Sequence, residues 1–171
     1  MVDPGSYSSF GGFSKNNGSG STAAPGALFQ RQVEEGDIGD VKMCNITLLS
    51  AIAKGDWITY EHLVDDGLTC FEPEACGHLV VGTDFHRYYF RRHKEASASS
   101  ETNVTMVDEN VRVVGDVAVM AYVRLQQHDG KTSRFEETRI WQRKPDHAGA
   151  TTPSGKWKLI HFHRSDPKAS Y

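Results

Sequence analysis

The 171-residue chain carries 19 Lys and Arg against 22 Asp and Glu, a net charge of −3. Its basic residues gather into no patch or tail, which excludes nucleic acid as an expected partner. Its three cysteines, Cys44, Cys70 and Cys76, are odd in number and form no C-x-x-C pair, which argues against a disulfide framework or a structural zinc site and for plain thiols in the cytoplasm. No stretch is apolar enough for a signal peptide or long enough to span a membrane, so no membrane partner is expected.

Residues 1–36 are mostly Gly, Ser, Asn, Ala and Pro. Such a segment buries too little apolar area to offset its ordering entropy, and it reads as a flexible tail. The composition changes at Asp37, and residues 37–166 read as one domain, with 167–171 a short C-terminal tail. About 130 residues bury roughly two-thirds of their unfolded surface, enough for one core.

Val41, Cys44, Leu48, Leu49 and Ile52 recur at helical spacing, which predicts a first helix. Asp37 or Asp40 caps its start and Gly55 its end. Asp56 then offers an N-cap for a second helix over Trp57–Val64. Two short strands follow, Leu68–Phe71 and His78–Val81, with Pro73 ending the first. Gly82-Thr83-Asp84 leads into a third helix, Phe85 to Lys94, in which Phe85, Tyr88 and Tyr89 share one face and His86 and Phe90 the next.

A polar loop runs from Arg91 to Asn103. Four longer strands close the domain: Val104–Val114, Asp116–His128, Ser133–Lys144 and Lys156–Arg164. Gly115-Asp116 and Asp129-Gly130 are hairpin turns, and a loose loop with Pro145 and Pro153 joins the last two strands. Helices followed by a run of antiparallel strands predict an α+β domain: a curved sheet wrapped over one long helix, with a pocket between them. Within Val117–Leu125 both faces of the strand are apolar. One helix covers one side only, so the other side needs a partner chain or another element.

Three arginines, Arg124, Arg139 and Arg164, end or interrupt apolar strands. By strand alternation Arg124 shares a face with Tyr122 and Met120, and Arg164 with Phe162 and Ile160. A buried guanidinium is costly unless paired, and its planar fork suits a carboxylate. Two readings stay open: a pocket of cations without fixed counter-charge that takes a small anion, or arginines neutralised by Glu72, Glu74, Glu136 or Glu137. His161 and His163, two apart on a strand, lack a third and fourth ligand, so no metal is expected. Trp57, Trp141 and Trp157 read as core or interface anchors, and Cys44 as a small core residue.

Five blocks occur in order: Phe71-Glu72-Pro73-Glu74-Ala75, Gly82-Thr83-Asp84-Phe85-His86-Arg87-Tyr88-Tyr89-Phe90, Ala121-Tyr122-Val123-Arg124, Glu136-Glu137-Thr138-Arg139-Ile140-Trp141, and Lys156 through Ser165. Together they resemble the association (hub) domain of calcium/calmodulin-dependent protein kinase II (CaMKII), from about Asp37 to Ser165. The resemblance implies the nuclear-transport-factor-2-like (NTF2-like) cone, with a long N-terminal helix packed in a strongly curved antiparallel sheet. It implies an oligomerisation scaffold: dimers closing into two stacked rings, a homo-oligomer of dodecamer to tetradecamer size or larger. Kinase hub domains are further possible partners in mixed rings.

The resemblance also implies that Arg124, Arg139 and Arg164 line a deep pocket with His86 at its mouth, where a small carboxylate binds. No catalytic residue and no cofactor are expected. The chain contains no Gly-rich phosphate loop, no His-Arg-Asp and no Asp-Phe-Gly, so it reads as a hub without a kinase domain. The alternative is a SnoaL-like dimeric enzyme or small-molecule binder on the same NTF2-like fold.

Overall fold

The computed structural model describes residues 25–95, 102–145 and 155–165. In chain order the elements are α1 (Pro25–Lys54), α2 (Trp57–Leu63), β1 (Val64–Phe71), a 3₁₀ turn (Pro73–Ala75), β2 (Val80–Val81), α3 (Asp84–Glu95), β3 (Asn103–Val114), β4 (Val117–His128), β5 (Lys131–Pro145) and β6 (Gly155–Arg164). The tail expected over 1–36 falls outside the described residues up to position 24, as do residues 96–101 of the first expected loop, 146–154 of the second, and 166–171.

The first helix starts at Pro25, well before Asp37. Pro suits the first helical position, and Ala, Leu, Gln, Arg and Glu behind it favour helix. Gly36 and Gly39 hide this extension from a compositional reading. Asp37 therefore sits inside the helix and caps nothing; its carboxylate pairs with Arg143 of β5. The helix ends as expected. Gly55 adopts φ 66°, its amide donates to the Ile52 carbonyl at 3.3 Å, and that of Asp56 donates to Ala51 at 2.9 Å. These two bonds are the Schellman pattern. Asp56 then caps α2, accepting from the Thr59 amide at 3.1 Å.

The sheet has six strands in the order β2-β1-β6-β5-β4-β3. β3 to β6 pair antiparallel as expected, but β1 pairs with β6 in parallel. The long excursion through α3 and β3–β5 returns the chain beside β1 in the same direction, as a crossover permits and a hairpin does not. Asp129 and Gly130 both have positive φ, 48° and 70°, as a tight hairpin turn requires.

The concave face of this curved sheet wraps α1. Val41, Leu48, Leu49 and Ala51 of the helix meet Leu68, Ala118, Met120, Trp141 and Leu159 of the sheet in one buried cluster. Full burial stabilises each larger side chain by about 1.5–3 kcal/mol. Trp141 and Trp157 are core residues, whereas Trp57 is half-buried under Arg87.

A β-bulge decides which β6 side chains face the interior. Ile140 pairs with His161 but Trp141 with Leu159, so Ile160 is the extra residue. Trp157 and Leu159 before the bulge, and Phe162 after it, are all buried. Arg164 shares the Phe162 face, as expected; Ile160 does not, because the bulge breaks the alternation.

The convex face is different. Val119 is 39% exposed, Phe71 39% and Val114 69%, and Ala121 is exposed beside them. Among the described residues no element covers this face.

Candidate functional site: a charge-paired cavity at the open end of the cone

A cavity of about 560 Å³ opens between α3, the 3₁₀ turn and the concave face of β4–β6. Arg124, Arg139, Arg164 and His86, expected together from the sequence, all line it. β4, β5 and β6 supply one guanidinium each, and the first turn of α3 supplies the imidazole. Phe135 lies between two of the cations, 4.5 Å from the Arg124 guanidinium carbon and 5.1 Å from that of Arg164. Phe162 lies 5.2 Å from that of Arg139. Desolvated contacts of this kind stabilise a cation over an aromatic face.

These cations have fixed counter-charges, which corrects the reading of three arginines without one. Glu137 is fully buried and lies 2.8 Å from Arg139 Nη2 and 3.2 Å from Arg124 Nη1. Arg164 Nη2 donates to Glu72 at 2.9 Å and also to Glu74. Glu136 takes no part: it is exposed, 4.0 Å from Arg134. Strand alternation explains the split, since Phe135, Glu137 and Arg139 point inward and Glu136 and Thr138 outward.

Tyr122, directly opposite Glu137 in the β4–β5 register, completes the buried network. Its hydroxyl donates to Glu137 and accepts from Arg139 Nε at 2.8 Å. Burial pushes the Tyr122 phenol up to about 12. Burial alone would raise the Glu137 carboxyl, but Arg139 and Arg124 outweigh it and hold it below the usual range. Glu72 behaves likewise: burial raises it, and His86 and Arg164 bring it lower than usual.

Arg124 keeps a donor without a partner. Arg124 is 5% exposed, its Nε finds no acceptor among the described residues, and burial pulls its pKa down. Its contact with Glu137 Oε1 is an ion pair without hydrogen-bond alignment. A buried, unsatisfied N–H at the wall of a cavity is the group an incoming acceptor would relieve.

His86 is fixed on three sides by rings, with centroids 5.7–5.8 Å away at Tyr60, Phe85 and Phe162. Its Nε2 lies 3.1 Å from Glu72 Oε1 and 3.5 Å from Cys70 Sγ. The fold thus brings Cys70 beside two cavity residues, a contact that sequence spacing concealed. Burial first, and then the Glu72 charge, push the Cys70 thiol up to about 12, so without a further partner it stays protonated. His161 and His163 lie on the convex side; His161 Nδ1 meets Thr69 Oγ1 at 2.7 Å, and Phe71 packs against both rings.

Comparison with known proteins agrees with this architecture. Residues 39–168 match the family model of the calcium/calmodulin-dependent protein kinase II association domain. A curated relative, the type II subunit delta of this kinase from Oryctolagus cuniculus, is 44% identical over 124 residues, covering 69% of this chain but 21% of the relative. The chain therefore spans about a fifth of that protein's length.

Among solved structures, the CaMKII hub homology domain of C. reinhardtii is 42% identical with a TM-score of 0.64, covering 75% of this chain and 97% of that one. The association domain of C. elegans CaMKII is 35% identical, also at 0.64, with 78% and 98% covered. An NTF2-like protein from Cytophaga hutchinsonii, at 20% identity and a TM-score of 0.57, shares the fold alone. The chain belongs to the CaMKII association-domain family and has the NTF2-like fold.

Proposed function

We propose that the chain is a non-catalytic scaffold that assembles into a large closed homo-oligomer, an even-numbered double ring of dodecamer to tetradecamer size or larger. The observation that carries this reading is the exposed convex face. Val114, Val119, Phe71 and Ala121 stand on a sheet face that no element covers among the described residues, in a member of a family of association domains. Water-exposed apolar patches on a strand face favour burial against another copy.

A closed ring needs two kinds of contact, one isologous and one repeated laterally. Further exposed apolar side chains are available for the latter: Tyr88 and Tyr89 on α3, and Val81 on the β2 edge, are 54%, 42% and 69% exposed. Such an assembly would gather whatever is joined to each chain, raising its local concentration. Kinase hub domains are the natural partners for mixed rings.

Native mass spectrometry of the purified chain tests the reading. An even particle of twelve or more subunits is expected. A dimer that persists at high concentration would overturn it and favour the NTF2-like enzyme or binder instead.

A small carboxylate is the ligand this cavity suits best, and the unpaired Arg124 Nε is the reason. Arg139 shapes the site through Glu137 and Tyr122, and Arg124 carries the buried Nε–H that has no acceptor among the described residues. His86 closes one wall. Titration calorimetry with short-chain carboxylates should give binding that Arg124→Lys loses, because an ammonium cannot reproduce the fork. Equal binding by both proteins would remove Arg124 from the site.

A further inference from the structure

Cys70 and Glu72 stand at the end of β1 and His86 on α3, yet their donor atoms converge within 4.8 Å of one another. The three separations are 3.5 Å from Cys70 Sγ to His86 Nε2, 3.8 Å from Cys70 Sγ to Glu72 Oε1, and 3.1 Å from His86 Nε2 to Glu72 Oε1. A tetrahedral zinc ion, with Zn–S of about 2.3 Å and Zn–N and Zn–O of about 2.1 Å, spaces the same three atoms about 3.6, 3.6 and 3.4 Å apart. Each observed edge lies within a few tenths of an ångström of this triangle.

We propose that Cys70, Glu72 and His86 form a mononuclear site for a borderline-soft divalent cation of the zinc class. Three protein ligands occupy one face of a tetrahedron, and the fourth position opens toward the cavity that Glu72 and His86 line. One thiolate, one imidazole and one carboxylate select zinc-like ions over magnesium or calcium, which want oxygen alone. Spacing along the chain does not disclose these ligands, because His86 lies far beyond the Cys70–Glu72 pair. Here a strand (Cys70), the residue just past its end (Glu72) and a helix (His86) supply them.

The surroundings support the cation. Arg164 Nη2 holds the other Glu72 oxygen at 2.9 Å, which orients Oε1 inward as an outer-shell partner does. The aromatic cage fixes the His86 ring without using Nε2. With the thiol ionised, Cys70, Glu72 and Glu74 carry three negative charges against one on Arg164, leaving two for the dication. Binding forms the metal–sulfur bond and releases the thiol proton to solvent. His86 Nδ1 has no acceptor among the described residues, so the usual second anchor of a ligating histidine is missing. The affinity is accordingly lower than that of closed structural zinc sites.

The test uses the full chain with Cys44→Ala and Cys76→Ala, in which Cys70 is the remaining thiol, and Co²⁺ as the probe. The expected result is one Co²⁺ per chain, with a thiolate-to-cobalt charge-transfer band and tetrahedral ligand-field bands, displaced by one equivalent of Zn²⁺. Adding His86→Asn should weaken binding by at least about tenfold, while circular dichroism confirms the fold. If that variant does not fold, Glu72→Gln reads the same loss. Absence of the thiolate band overturns the site, and so does a band indifferent to both substitutions. The ring reading stands or falls separately, because particle mass is not the quantity measured.

Discussion

The two faces of the sheet invert the usual arrangement of a soluble domain. The concave side buries Arg124, Arg139 and Glu137 and half-buries Arg164 with Glu72, while the convex face leaves Val119, Ala121 and Phe71 partly in water. Charged groups rarely sit inside unless paired, and a contiguous apolar face rarely stays outside unless it is an interface. The interior is therefore built for a site and the exterior for a partner. Stability belongs mainly to the first and assembly to the second.

Breaking the interior should have the largest effect. Glu137→Gln leaves Arg124 and Arg139 buried without their counter-charge, and the expected cost is about 3–5 kcal/mol in denaturant unfolding. Glu136→Gln, one residue away but exposed, should stay within about 0.5 kcal/mol. The same contrast appears under acid. Glu72 and Glu137 have folded pKa values below their unfolded ones. Their stabilisation is thus complete above the unfolded value of about 4.3 and is lost as pH falls through the folded ones. A pH titration of the unfolding midpoint should fall in that range, and less steeply in Glu137→Gln.

Tyr122→Phe removes the hydroxyl between Glu137 and Arg139 and should cost about 1–3 kcal/mol, read from the same unfolding curves. Substitution on the convex face should scarcely change subunit stability. Val119→Lys is expected within about 0.5 kcal/mol of the parent once both are compared as dissociated subunits.

Much of this contrast was legible in the sequence. Alternation in β4 revealed two apolar faces, and the resemblance to hub domains named four lining residues, three strand arginines and one helix histidine. The Schellman end at Gly55 and the cap at Asp56 followed from local chemistry. Three things did not follow. Gly36 and Gly39 masked the N-terminal extension of α1, because propensity there is weak and packing cannot be read locally. The bulge at Ile160 reversed the side-chain parity that alternation assigns, and only the β5 register discloses it. Which glutamates neutralise the arginines depended on cross-strand register and on the fold of the Glu72–Glu74 turn. So did the meeting of Cys70 with His86, sixteen positions away.

Copies of the chain are expected to meet at the convex face. Native mass spectrometry of a Val119→Lys/Ala121→Lys variant, beside the parent chain, tests it most directly. The account predicts a large even particle for the parent and a folded particle of much lower mass for the variant, with unchanged circular dichroism. A variant that keeps the parent's full particle mass would contradict it.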